Sequence, residues 1–277
     1  MREWRYYVRE AVRALGMWTG YAAYAAVALI VLWAVVLGAA SAADMGYMNK
    51  VIDSSNVLVN SGCSGTRVDD VGDYILTAYH CVGSQYETVT REKIGADGTV
   101  TKEKVRVAKP GTVSQFRYKG PNEVQKNSYL YKIKATDSAL DLALLQTQAS
   151  IGGIVPAMAC AEPVRGDKVI AVGNSYAVLY ATVTEGIVSS MSRSYRDLQL
   201  AGALGDETDD GEHGLIQHSA VIAGGNSGGA LYNDNGEFIG VNVRGAASGF
   251  SFAVPLQDIR KFLSMQQLDH LWKHCAK

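Results

Sequence analysis

From Met17 to Ala43 the chain carries no charged side chain. That uncharged run exceeds the ~20 residues a helix needs to cross the hydrocarbon core of a bilayer. Trp18, Tyr21 and Tyr24 stand near one end of it, where interfacial aromatics collect. Ahead of it, Arg2, Arg5, Arg9 and Arg13 outnumber Glu3 and Glu10, a side-chain balance of 4 − 2 = +2 that keeps this flank cytoplasmic. The pattern predicts a cytoplasmic segment over 1–16 and a transmembrane signal-anchor over 17–43. A long buried core helix would show the same run. Small residues at Ala40-Ser41-Ala42 and Ser41-Ala42-Ala43 also offer a cleavage site. The apolar run is longer than the roughly 7–15 residues of a signal-peptide core, which favours the anchor.

Residues 44–54 read as a short polar linker, and at Val57-Leu58-Val59 the pattern changes to short apolar alternations. These continue to Val254 between turn signals, without a long helical period, and predict an all-β domain over 55–277. Glu87 to Val107 reads as a hairpin turning at Gly95-Ala96-Asp97-Gly98, and Asn233-Asp234-Asn235-Gly236 as a second hairpin turn. Lys109 to Asn127, punctuated by lysine, glycine and proline, reads as a loop, and a strand resumes at Tyr129. Pro255 opens a terminal helix with Ile259, Phe262 and Leu263 on one face.

The length of 277 residues suits one membrane segment and one β domain. With 26 basic against 27 acidic residues there is no electrostatic case for a nucleic-acid partner. The candidate chemistry centres on G-G-N-S-G-G-A-L, Gly224 to Leu231, where four glycines surround Ser227. Glycines gather so densely in a β protein where the backbone takes special φ/ψ or approaches a ligand closely. A serine hydroxyl needs an adjacent base and oxyanion donors before it becomes an effective nucleophile. His80, in Thr77-Ala78-Tyr79-His80-Cys81-Val82, stands at a strand end, and Asp141 opens the apolar run D-L-A-L-L.

At these residues the chain resembles the chymotrypsin-like (trypsin-fold) serine proteases, whose triad follows the order His80, Asp141, Ser227. It looks closest to their HtrA/Deg branch. The likeness is carried by I-Q-H-S-A-V-I-A-G-G-N-S-G-G from Ile216, A-V-G-N-S from Ala171, T-V-T-E-G-I-V-S-S from Thr182 and A-L-Y-N-D-N-G-E-F-I-G-V-N from Ala230. The resemblance implies two six-stranded antiparallel β-barrels followed by the C-terminal helix, and no cofactor or metal. It implies that His80 is the general base, Asp141 its orienting carboxylate and Ser227 the nucleophile, with Gly225 and Ser227 N–H groups as the oxyanion hole. It also implies a disulfide between Cys63 and Cys81, and hence an oxidising compartment; a pair of buried thiols is the alternative. Cys160 and Cys275 have no such template and either pair or stay reduced.

For specificity, the resemblance puts Val221, Ile222 and Ala223 along one wall of the substrate pocket. Asn242, Val243, Arg244 and Gly245 would form the strand that pairs with substrate backbone. The expected preference is for small or medium aliphatic residues, with Arg244 solvated rather than selecting acidic side chains. Asn226 stands where relatives activated by cleavage carry an aspartate, so activation by an inserted N-terminus is not expected. Nor is a peptide-binding PDZ domain, with which HtrA relatives continue.

Other polar features read as structural. His218 falls on the strand leading to the serine and reads as packed or solvent-facing. His270 and His274, spaced i, i+4, lack a third ligand, and Gly205 to His213 is acidic without the spacing of a calcium loop. The expected protein is a single-pass membrane-anchored serine endopeptidase acting on protein or peptide substrates, its catalytic domain periplasmic or extracellular, or secreted if the leader is cleaved. The alternative is a dormant or chaperone-like module that holds peptides in the same cleft.

Overall fold

The alternation that begins at Val57 becomes a closed antiparallel barrel. A computed structural model describes residues 46–83, 86–96, 98–120, 123–200, 214–246 and 249–276. Its strands are, in chain order, β1 (Asn56–Val59), β2 (Cys63–Arg67), β3 (Tyr74–Ala78), β4 (Tyr86–Ile94), β5 (Val100–Ala108), β6 (Gly111–Gly120), β7 (Glu123–Asp137) and β8 (Leu142–Thr147) in the first half. The second half contains β9 (Lys168–Ser175), β10 (Leu179–Arg193), β11 (Leu215–His218), β12 (Ala230–Asn233), β13 (Phe238–Gly245) and β14 (Ser251–Pro255). Six strands close each barrel, in the orders β1-β2-β3-β8-β7-β6 and β10-β11-β14-β13-β12-β9. All pairings within both are antiparallel.

The first barrel closes over Val57, Val59, Ile75, Val113, Tyr131 and Leu145, all buried. Burying each such side chain contributes about 1.5–3 kcal/mol. β4 and β5 leave this barrel as a two-stranded ribbon with Glu87 opposite Val107, the register expected from the sequence. Asn233 to Gly236 forms the tight turn between β12 and β13, with the Gly236 N–H donating to the Asn233 carbonyl. Beyond β14, a helix (Leu256–Ser264) follows Pro255 and buries Leu256, Ile259, Phe262 and Leu263.

Two stretches differ from the sequence reading. Residues 46–55, which take in most of the 44–54 segment read as a linker and the first residue of the predicted β domain, are helical (α1), with Val51 and Ile52 buried. Met48, Val51 and Ile52 fall at i, i+3 and i+4, a helical stripe too short to stand out of its polar surroundings. Lys109 to Asn127 is mostly ladder: β6 and β7 pair from Gly111 opposite Tyr131 to Gly120 opposite Glu123. Gly111 is a packing cut-out, since a Cβ there would lie 2.2 Å from the Tyr131 ring. The predicted transmembrane segment over 17–43 lies outside the described residues, as does the whole acidic stretch from Gly205 to His213. Among the described residues no helix is long and apolar enough to cross a membrane.

Candidate active site

Strand register brings His80 and Asp141 together. β3 and β8 are antiparallel neighbours with Ala78 opposite Leu142. The chain leaving β3 and the chain entering β8 are therefore adjacent, and they carry His80 and Asp141. His80 sits in a 3-10 turn, Tyr79–Cys81, whose first N–H donates to the Asp141 carbonyl at 3.0 Å. The Asp141 carboxylate accepts twice from His80: the backbone N–H reaches Oδ1 at 2.9 Å and ring Nδ1 reaches Oδ2 at 2.8 Å. The carboxylate is buried and the imidazole 43% exposed. Donation from Nδ1 leaves Nε2 as the lone-pair nitrogen. Asp141 takes φ +53°, a left-handed conformation that aspartate tolerates better than most side chains.

Ser227 stands on a loop between β11 and β12. Gly228 N–H donates to the Asn242 carbonyl at 2.7 Å, and Asn242 N–H to Gly229 at 2.9 Å, so β13 grips the far side of Ser227. From the first barrel, Ser64 N–H donates to the Ser227 carbonyl at 2.8 Å and the Ser64 hydroxyl to the Gly225 carbonyl at 2.7 Å. Gly225 has φ +95°, and a Cβ there would lie 2.4 Å from the Asn174 carbonyl oxygen. Neither glycine flanking this serine is replaceable by alanine without moving backbone: at Gly228, φ +85°, the Cβ would stand 2.2 Å from the Ser64 carbonyl oxygen. Among the described residues, the N–H groups of Gly225 and Ser227 donate to no partner. The Ser227 hydroxyl donates to the Val243 carbonyl at 3.2 Å.

His80 and Ser227 line one cavity of about 340 Å³ together with Ile222, Ala223, Gly224, Val243, Arg244 and Gly245. Val221 is exposed outside this lining, its carbonyl taking the Thr184 hydroxyl. Asn242 is fully buried rather than facing the cavity. Its amide donates to the Ala230 carbonyl at 2.7 Å, and its Oδ1 accepts from His218 Nε2 at 3.1 Å. Arg244 is partly buried, its guanidinium 5.9 Å from the centroid of the Tyr195 ring. His218 is packed, and burial pushes its pKa down to about 4 against the opposing effect of the Asn242 bond. A separate cavity of about 390 Å³ is lined by Cys160, Glu162 and the β12–β13 turn, and by none of His80, Asp141 and Ser227.

Cys63 is bonded to Cys81 and Cys160 to Cys275. His80 and His274 each lie close to one of these cysteine pairs. Sulfurs joined as disulfides are not thiolate ligands, so neither cluster offers a metal the donors it needs. His270 approaches Asp69 at 3.8 Å while His274 donates to the Met158 carbonyl at 2.9 Å, so the two imidazoles have separate partners.

Sequence reasoning assigned no role to Ser64, Asn174 or Tyr176, which hold the loop before Ser227. Asn174 N–H donates to the Ser64 hydroxyl at 2.7 Å, and Tyr176 N–H donates to the Gly224 carbonyl at 2.6 Å. The motif A-V-G-N-S contains Asn174, but its amide's partners, Asn56 and Val57, lie more than a hundred residues away.

The chain matches the trypsin-like peptidase domain family over residues 63–241. It is 38% identical over 138 residues to serine protease HTRA1B of Danio rerio, covering 50% of this chain and 27% of that protein. It is 36% identical over 147 residues to mitochondrial serine protease HTRA2 of Bos taurus, covering 53% and 30%. Serine protease HTRA3 of Mus musculus is 43% identical over 110 residues, covering 39% and 22%. The chain spans less than a third of the length of these curated relatives. With two closed six-stranded barrels and a family match over more than half its length, the chain belongs to the trypsin-like peptidase family and is an HtrA-like member of it.

Proposed function

We propose that residues 55–277 are a serine endopeptidase that hydrolyses peptide bonds in protein substrates through an acyl-enzyme. The observation that carries this reading is the doubly hydrogen-bonded Asp141–His80 pair opening on the same cavity as Ser227. Rotation about the Ser227 Cα–Cβ bond releases its hydroxyl from Val243 toward His80 Nε2. His80 takes the proton as Oγ attacks the scissile carbonyl, and Asp141 stabilises the imidazolium. The Gly225 and Ser227 N–H groups receive the oxyanion, and His80 returns the proton to the departing amine. Water then hydrolyses the ester by the same steps in reverse order.

Ile222, Ala223 and Val243 in the lining support a preference for small or medium aliphatic side chains. Residues 17–43 anchor the domain to the membrane on this reading, with the protease on the periplasmic or extracellular side. The two disulfides agree with an oxidising compartment.

A second reading, a dormant or chaperone-like peptide-binding module, is favoured by the Ser227–Val243 hydrogen bond, which holds the hydroxyl away from the base. Fluorophosphonate labelling of wild type, Ser227→Ala and His80→Ala separates the two. Labelling of wild type alone is expected. A folded wild type that resists the probe transfers the case to the binding module.

A further inference from the structure

The outer half of the β6–β7 ribbon meets the second barrel at Tyr180, at the start of β10 beside the β9–β10 turn. Only Val113 and Ser114 of β6 pair with β1, so the ribbon beyond Gln115 has left the barrel wall. There Phe116 stacks on Tyr180 with ring centroids 3.5 Å apart and planes inclined by 9°. The Tyr118 hydroxyl donates to the Tyr180 carbonyl at 3.3 Å, and the Lys126 ammonium lies 5.7 Å from the Phe116 ring centroid. Tyr180 is the second residue of β10, directly after the turn in which Tyr176 and Ala177 both take positive φ, +54° and +59°. Non-glycine residues hold that conformation only where their surroundings impose it.

This turn supplies the Tyr176 N–H that holds the Gly224 carbonyl at 2.6 Å. In a trans peptide the carbonyl and the following N–H point in opposite directions. Holding Gly224 C=O toward the turn therefore directs the Gly225 N–H away from it. That N–H is the proposed oxyanion donor.

From this chain of contacts we infer that Phe116, Tyr118 and Tyr180 are positioning residues. The β6–β7 ribbon of the first barrel sets the β9–β10 turn and, through Tyr176, the orientation of the oxyanion donor on the second. The inference rests on the protease reading above. It makes the hole dependent on the seating of a ribbon remote in sequence from Ser227. Anything that lifts the ribbon lowers turnover without touching the triad.

The test compares full-length wild type with Phe116→Ala, Phe116→Tyr and Tyr118→Phe, measuring fluorophosphonate labelling rate, peptide kcat and KM, and melting temperature. Complete loss of one oxyanion donor lowers kcat by about 10²–10³, so partial misorientation in Phe116→Ala is expected to lower kcat and labelling rate about tenfold, with KM little changed. Phe116→Tyr keeps the stack and restores the rate. Tyr118→Phe removes one hydroxyl from a half-exposed side chain, leaves the fold intact and lowers the labelling rate about two- to threefold, the scale of a partly exposed hydrogen bond. Wild-type labelling rates in both Phe116→Ala and Tyr118→Phe would overturn the inference, as would a change confined to KM, which marks the ribbon as a substrate wall. A wild type that never labels refutes the protease reading itself, a distinguishable failure. Val100→Ser on the separate β4–β5 ribbon is the control and is expected to label as wild type.

Discussion

The two barrels contribute to the site in different ways. In the first, His80 and Asp141 stand just beyond two paired strands and are joined by two short hydrogen bonds, so their geometry follows from the β3–β8 register. In the second, Ser227 rides on a glycine loop tied by backbone bonds to β13, to Ser64 and to the β9–β10 turn, and its hydroxyl rests on Val243. A ladder imposes geometry at every residue, whereas a glycine loop takes the one its ties select. The His80–Asp141 pair is preassembled and the surroundings of Ser227 are conditional.

The largest test of this contrast is Asp141→Asn. The substitution keeps the volume but offers Nδ1 no carboxylate, and loss of the orienting group is expected to lower kcat by about 10⁴ with little change in KM. Steady-state kinetics on a peptide substrate reads it, and a loss below tenfold would break the claim that the base half depends on this pair. Gly225→Ala attacks the other half. Strain at φ +95° and the close Asn174 oxygen should displace the oxyanion donor, lowering kcat about 10²–10³-fold while the His80–Asp141 pair stays intact. An imidazole Nδ1 proton resonance unchanged from wild type would confirm that the two halves separate.

Stability effects are smaller. Replacing Cys63 and Cys81 together by serine opens a loop with a sequence separation of 18, worth about 3 kcal/mol of stability in the chain-entropy account. Urea unfolding measures it. The smallest effect expected is acid sensitivity from His218. Its folded pKa, about 4, is below the unfolded value near 6.5, so below pH 6.5 the unfolded chain binds a proton that the native one refuses. Stability from this group is full above pH 6.5 and is lost as pH falls toward 4, by about 2–3 kcal/mol. His218→Gln should flatten that part of the stability–pH curve, and an unchanged slope would remove His218 as its cause.

The candidate residues His80, Asp141 and Ser227 and the terminal helix were legible because each announces itself locally, whereas the Cys63–Cys81 pairing came from the family resemblance. A glycine cluster around a serine, a histidine at a strand end, an aspartate opening an apolar strand and apolar residues at Ile259, Phe262 and Leu263 all lie within short windows. The β6–β7 ladder was not legible, because lysine and glycine on an extended ribbon look like loop residues until Tyr131 is seen filling the space above Gly111. Asn242 was read as part of the strand that pairs with substrate backbone, and where its side chain goes, inward to His218 and Ala230, was not legible. Alternation assigns faces only within a regular strand, and the ladder of β13 shifts register between Asn242 and Arg244.

The sequence by itself thus determined the all-β class of the domain and singled out His80, Asp141 and Ser227 as candidates, because periodicity and residue type are local properties. Tertiary structure decided how the loop before Ser227 is held. Ser64, Asn174 and Tyr176 act through atoms that every residue, or every serine and asparagine, possesses. Their role comes from which distant backbone group they meet, and long-range pairing alone supplies that.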